Sequence, residues 1–91
     1  MQPNTMNKAI KAVQHARQKH PDFAPGLEHA LCIAQEEMGE IAKAINDKKG
    51  WDEIEAEIYD TIAVLFRIAE KDYLKAAPIK GGNNNGSTFE K

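Results

Sequence analysis

Glu36-Glu37-Met38-Gly39-Glu40-Ile41-Ala42-Lys43-Ala44-Ile45, followed by Glu53-Ile54-Glu55-Ala56-Glu57-Ile58-Tyr59-Asp60, are the two passages whose reading decides the fold. Each has apolar residues at three- and four-residue steps, the mark of an amphipathic helix. Each also sets carboxylates among or beside the positions that should be apolar. From Leu27 as zero, Leu27, Ala30, Leu31, Ala34, Met38, Ile41, Ala42 and Ile45 fall between about 300° and about 60° at 100° per residue. Glu37 falls at about 280° and Glu40 at about 220°, with Ile33 and Ala44 between them, while Glu36 at about 180° points further away. Glu37 therefore interrupts an apolar surface and Glu40 borders it. On the following helix Ile54, Ile58, Thr61, Ile62, Leu65, Ile68 and Ala69 make the apolar stripe. There Glu53, Glu57, Asp60 and Val64 form one line, at about 240–300° from Ile54.

The connection Asn46-Asp47-Lys48-Lys49-Gly50 is short, so the flanking helices should form an antiparallel hairpin. Lysines suit the last turn of the first helix, and Gly50 is expected to supply its left-handed stop. Asp52 with Glu55 resembles a capping box that opens the next helix, expected to run to Ala76 and stop before Pro78. Upstream, Met6, Ala9, Ile10, Val13 and Ala16 predict a helix from an N-cap at Thr5 to Lys19. The prolines of His20-Pro21-Asp22-Phe23-Ala24-Pro25-Gly26 make that passage a connector, with Phe23 packed beneath it. The glycine- and asparagine-rich run from Ile79 reads as a flexible tail. The expected fold is all-α: a small helical bundle of three main helices with a central antiparallel hairpin, in one domain over residues 1–78.

Composition narrows the function. A net charge of −2 offers no basic face for a nucleic-acid polymer. No apolar run reaches the ~20 residues of a membrane span, and no signal peptide is apparent. Cys32 is the single cysteine and cannot form an internal disulfide, which fits a cytoplasmic setting. A 91-residue helical chain builds little core, so oligomerisation is expected to complete it. Tyr59 and Phe66 lie on a second apolar flank of their helix and point the same way.

Residues three apart on a helix are neighbours, so Glu37/Glu40 and Glu57/Asp60 each form a two-carboxylate claw that the hairpin can bring face to face. Four clustered carboxylates repel unless a cation sits among them, and all-oxygen ligation suits Mg²⁺, with Mn²⁺ as an alternative. The chemistry implied is attack of water on a phosphate ester or anhydride. The plainer reading is a solvated acidic face, with Lys43 one turn from Glu40 as an ion-pair partner. A di-iron site would need Glu-x-x-His on two helices, which this chain lacks. His15, His20 and His29 have no metal-ligand spacing and read as surface residues. Cys32 reads as a small core residue, and Trp51 as a cap on the hairpin tip.

The pair Glu36-Glu37-Met38-Gly39-Glu40 and Glu57-Ile58-Tyr59-Asp60, with their hydrophobic framing from Leu27 to Ala69, resembles the all-α NTP pyrophosphohydrolase superfamily, in particular its MazG-like group. The family pattern is Glu-Glu-x-x-Glu on one helix and Glu-x-x-Asp on the next. That resemblance implies Mg²⁺-dependent hydrolysis of a nucleoside or deoxynucleoside triphosphate to the monophosphate and pyrophosphate. It implies Glu37, Glu40, Glu57 and Asp60 as metal ligands, and Glu36 as a further ligand or the group that positions the attacking water. It also implies a homodimer or homotetramer. The phosphate-holding cations lie outside the short motifs; Arg67 is the first candidate, with Arg17, Lys19 and Lys71 behind it. The alternative is a catalytically silent nucleotide-sensing or protein-interaction module with the same fold.

Overall fold

The computed structural model of the chain describes residues 2–76. These residues form α1 (Pro3–Lys19), α2 (Leu27–Asn46), α3 (Trp51–Ala69) and the short α4 (Asp72–Ala76), with no strand among them. The expected tail from Ile79, and Pro78 before it, lie outside the described residues.

The helix ends depart from expectation in instructive ways. α1 opens on Pro3 after the extended residue Gln2, so Thr5 is inside the first turn and not its cap. Proline suits that position because its ring presets φ and the missing N–H would have no partner there. α2 ends in a Schellman motif: the Lys49 N–H donates to the Ala44 carbonyl and the Lys48 N–H to the Ile45 carbonyl, both at 3.0 Å. The left-handed residue is Lys48, at φ 58°, and not Gly50, which is extended and precedes α3. Asp52 makes no side-chain cap bond. It sits in the first turn, where its charge favours the helix dipole. The third helix ends at Ala69, short of the expected Ala76. Lys71 turns left-handed at φ 60° and α4 sets off in a new direction.

α3 is the central helix, packed along both α2 and α1, with α4 folded against its end. The short connection requires α2 and α3 to run antiparallel. The interior is built mostly from small residues: Ala24, Ala30, Ala34, Ala44 and Ala63 are buried, with Val13 and Tyr73 the larger apolar members. Phe23 does pack beneath the connector, against a cluster of Ala24, Ala30 and Tyr73 that Leu27, Ile33 and Ile68 also join.

Alanines allow close helix approach, and that decides how α2 is rotated. Its buried residues Ala30, Ala34 and Ala44, with half-buried Ile33, Glu37 and Ile41, span about 240–340° from Leu27. Glu37, at about 280°, lies near the middle of the inward face, not at its edge. The larger side chains Leu31, Met38 and Ile45 lie to one side and are 53, 56 and 54% exposed. Cys32 is exposed as well, against the expectation of a core residue. Trp51 opens α3 and is 63% exposed, so it does not cap the hairpin.

Candidate functional site

The rotation of α2 carries Glu37 inward, and the acidic line of α3 meets it. Thr61 is buried on one side of that line, and Ala63 and Arg67 on the other. Carboxylate oxygens of Glu37, Glu57 and Asp60 all lie within 4.8 Å of one another. Glu37 and Glu57 are half-buried and Asp60 is exposed. Glu40 and Glu36 are exposed and fall outside this close group. Three of the four expected ligands thus converge, while Glu40 stands nearby.

The electrostatics follow from that crowding. Burial, then the charges of Asp60, Glu57, Glu40 and Glu36, pushes the Glu37 carboxyl above its ordinary value. Burial, then Asp60, Glu40 and Glu53, does the same to Glu57. Both shifts mean that the cluster resists carrying its full negative charge. Lys43 gives little relief: its ammonium pairs with Asp47 at 3.0 Å, one turn away, and feels Glu40 only at a distance.

Two cavities flank the acids. A cavity of about 420 Å³ opens between Glu37 and Asp60 on one side and α1 on the other. Glu40, Glu53 and Glu57 line a smaller one of about 230 Å³ along the hairpin, with Lys43 and Lys49. The acids form the partition between them.

Comparisons of the chain with family models, with curated proteins and with solved structures return no match. The site therefore rests on its own geometry.

Arg67 reaches the larger cavity, but its donors are engaged inside the protein. Nε donates to Asp72 Oδ2 at 2.8 Å, one terminal nitrogen to the Ala16 carbonyl at 3.2 Å, and the other towards the Pro21 carbonyl at 3.5 Å. The guanidinium also lies over the Phe23 ring, 4.6 Å from its centroid. Arg17 is drawn into the same network, donating from Nε and a terminal nitrogen to both Asp72 oxygens at 2.9 and 3.0 Å. Asp72 thereby ties α1, α3 and α4 together, and among the described residues no buried side-chain polar atom lacks a partner. Sequence reasoning missed Asp72 because it was expected inside a continuous third helix. His15 and His20, read as surface residues, are exposed, and both line the larger cavity beside Lys19. The available signal was that His15 and Lys19 are one turn apart on α1, hence on one face.

Proposed function

We propose that this chain is a Mg²⁺-dependent hydrolase that converts a nucleoside or deoxynucleoside triphosphate to the monophosphate and pyrophosphate. The observation that carries the reading is the convergence of Glu37, Glu57 and Asp60, two of which, Glu37 and Asp60, stand at the wall of a cavity of ligand size. Oxygens bound to one Mg²⁺ at about 2.1 Å lie at most about 4.2 Å apart, so the 4.8 Å spread closes with small side-chain adjustments. The donor set is all carboxylate, which suits Mg²⁺ or Mn²⁺. A bound ion would polarise a phosphoryl oxygen and make an attacking water more acidic.

The chain's own residues divide the remaining work. Glu37, Glu57 and Asp60 hold the cation, and Glu40 extends the negative field at its edge. Glu36 is exposed and turned about 100° from Glu37, so its role as a further ligand or as the group that orients the attacking water rests on the resemblance. The water oxygen bonds to the α-phosphorus as the bond to the α–β bridging oxygen breaks; pyrophosphate leaves with that oxygen and its electron pair, and the proton of the water passes to solvent. The resemblance of the two acidic motifs to the MazG-like group supports this assignment of roles.

Self-association belongs to the same reading. Leu31, Met38 and Ile45 recur at one-heptad steps and leave an apolar seam uncovered. Burying the exposed halves of three such side chains from each of two copies contributes about 5–9 kcal/mol, at ~1.5–3 kcal/mol per full side chain. Association costs at least ~4 kcal/mol, so the seam alone is marginal. The exposed Leu65 and Phe66 of α3 add the area that a stable homodimer or homotetramer needs.

The second reading, a nucleotide-sensing or interaction module without turnover, is favoured by the same exposed apolar surface. Pyrophosphate release from a panel of canonical and damaged NTPs and dNTPs, with Mg²⁺, Mn²⁺ or EDTA, separates the two. Metal-dependent release is the expected outcome. Mg²⁺ binding without release from any substrate would favour the sensor, and no metal binding would return the acids to a solvated face.

A further inference from the structure

The larger cavity has two chemically opposite walls. Glu37 and Asp60 stand on one, and His15, Lys19 and His20 stand on the other. Ala12 and Ala16 line the cavity from α1 as well, with side chains too small to fill it. A bare metal site needs no such cationic wall. A single phosphate held at the acids would not need a cavity of about 420 Å³ either.

We propose that the α1 wall, centred on Lys19 with His15 and His20 beside it, grips the phosphate chain of a metal-chelated polyphosphate whose other oxygens face the Glu37–Asp60 wall. The proposal rests on the metal-site reading above and supplies the anion-binding half it lacks. The structure sorts the four cations that the sequence leaves open. Arg67 and Arg17 are spent on Asp72, and Lys71 sits at the turn between α3 and α4. Lys19 forms no ion pair among the described residues and lines the cavity. His15 precedes it by one helical turn and His20 follows it, so three N–H donors or potential donors are on one wall. Asp22 is the one acid on this side, an acceptor suited to a nucleoside hydroxyl or amino group and not to phosphate.

Calorimetry on the full chain tests this without relying on turnover. The probes are Mg²⁺ alone, inorganic phosphate, and the non-hydrolysable imidodiphosphate with and without Mg²⁺. Lys19→Ala should weaken imidodiphosphate binding about tenfold or more, the usual weight of a hydrogen bond to a charged group. Mg²⁺ affinity should be unchanged, and Lys19→Arg should restore most of the loss. Ala12→Leu should block imidodiphosphate while sparing Mg²⁺, and inorganic phosphate should bind more weakly than imidodiphosphate in the wild type. Lys43→Ala, which removes a lysine from the other cavity, should change none of these. Unchanged imidodiphosphate binding in Lys19→Ala, or no such binding in the wild type, overturns the proposal. Lys19-dependent binding with no NTP hydrolysis would keep the anion wall and sink only the hydrolase reading.

Discussion

Arg67 Nε and Asp72 Oδ2 are 2.8 Å apart because the helix breaks between them. In an uninterrupted helix residues five apart are turned by about 140° and do not face each other. Lys71, left-handed at φ 60°, folds the chain back so that Asp72 meets both Arg67 and Arg17. Asp72 and Arg67 are 2 and 3% exposed, which makes this carboxylate the buried counter-charge of two guanidinium groups. Asp72→Ala should therefore destabilise the fold by about 3–5 kcal/mol, the usual cost of leaving a buried charge unpaired. Urea denaturation with circular dichroism reads it. A loss below ~1 kcal/mol would show that the network does not hold α4 in place.

Lys48 offers an opposite, stabilising change. Its left-handed conformation costs a side chain roughly 1–2 kcal/mol, and glycine escapes that cost while losing more entropy on folding. Lys48→Gly should raise stability by about 0.5–1 kcal/mol in the same assay, with no effect on Mg²⁺ binding.

The acidic cluster predicts a pH dependence with a definite sign. The folded-state pKa of Glu37 is raised above its ordinary 4.5, by burial first and neighbouring carboxylates second. In the window above 4.5 the folded chain holds more protons on Glu37 than the unfolded chain does. This contribution to stability therefore falls as pH rises through the window, and is at its least favourable at neutral pH. Without metal, Glu37→Gln should melt a few degrees higher than wild type at pH 7, and the gap should close towards pH 4.5. With Mg²⁺ the order should reverse, because only the carboxylate gains from the cation. Differential scanning fluorimetry with Mg²⁺ or EDTA tests both halves.

Ligand substitutions should sort by position. Glu37→Gln, Glu57→Gln and Asp60→Asn each remove a member of the close group, and should lower Mg²⁺ affinity by about 10–100-fold or abolish metal-dependent activity. Glu40→Gln should cost less, since Glu40 stands outside the group. Equal losses at all four positions would mean that Glu40 swings inward when the metal binds.

Met38 lies at the centre of the exposed α2 seam. Met38→Glu should weaken self-association by on the order of 100-fold, since it sets an unpaired charge in an apolar contact. Light scattering across a concentration series measures it. A wild-type chain that stays monomeric at high concentration would remove the seam's role.

Helical period, proline placement and the short lysine–glycine connection were enough to read α1, α2 and α3 and the α2–α3 hairpin from the sequence, because these are local properties of the chain. The acidic residues were legible too, since three-residue spacing alone puts Glu37 with Glu40 and Glu57 with Asp60. Three things were not. Which face of α2 points inward was decided by alanine packing against α3, which turned Glu37 in and left Leu31, Met38 and Ile45 outside. The left-handed turns at Lys48 and Lys71 have no glycine to announce them, so the end of α3 and the Arg67–Asp72 pair stayed hidden. Lys19 of α1 and Asp60 of α3 line one cavity, and only the folding of one helix against the other brings them to it. Local sequence is sufficient for the helices and the stock of carboxylates; which carboxylates meet and which cations are spent holding the fold follow from packing between helices, because rotation and approach of helices depend on side-chain volumes at contacts far apart in the chain.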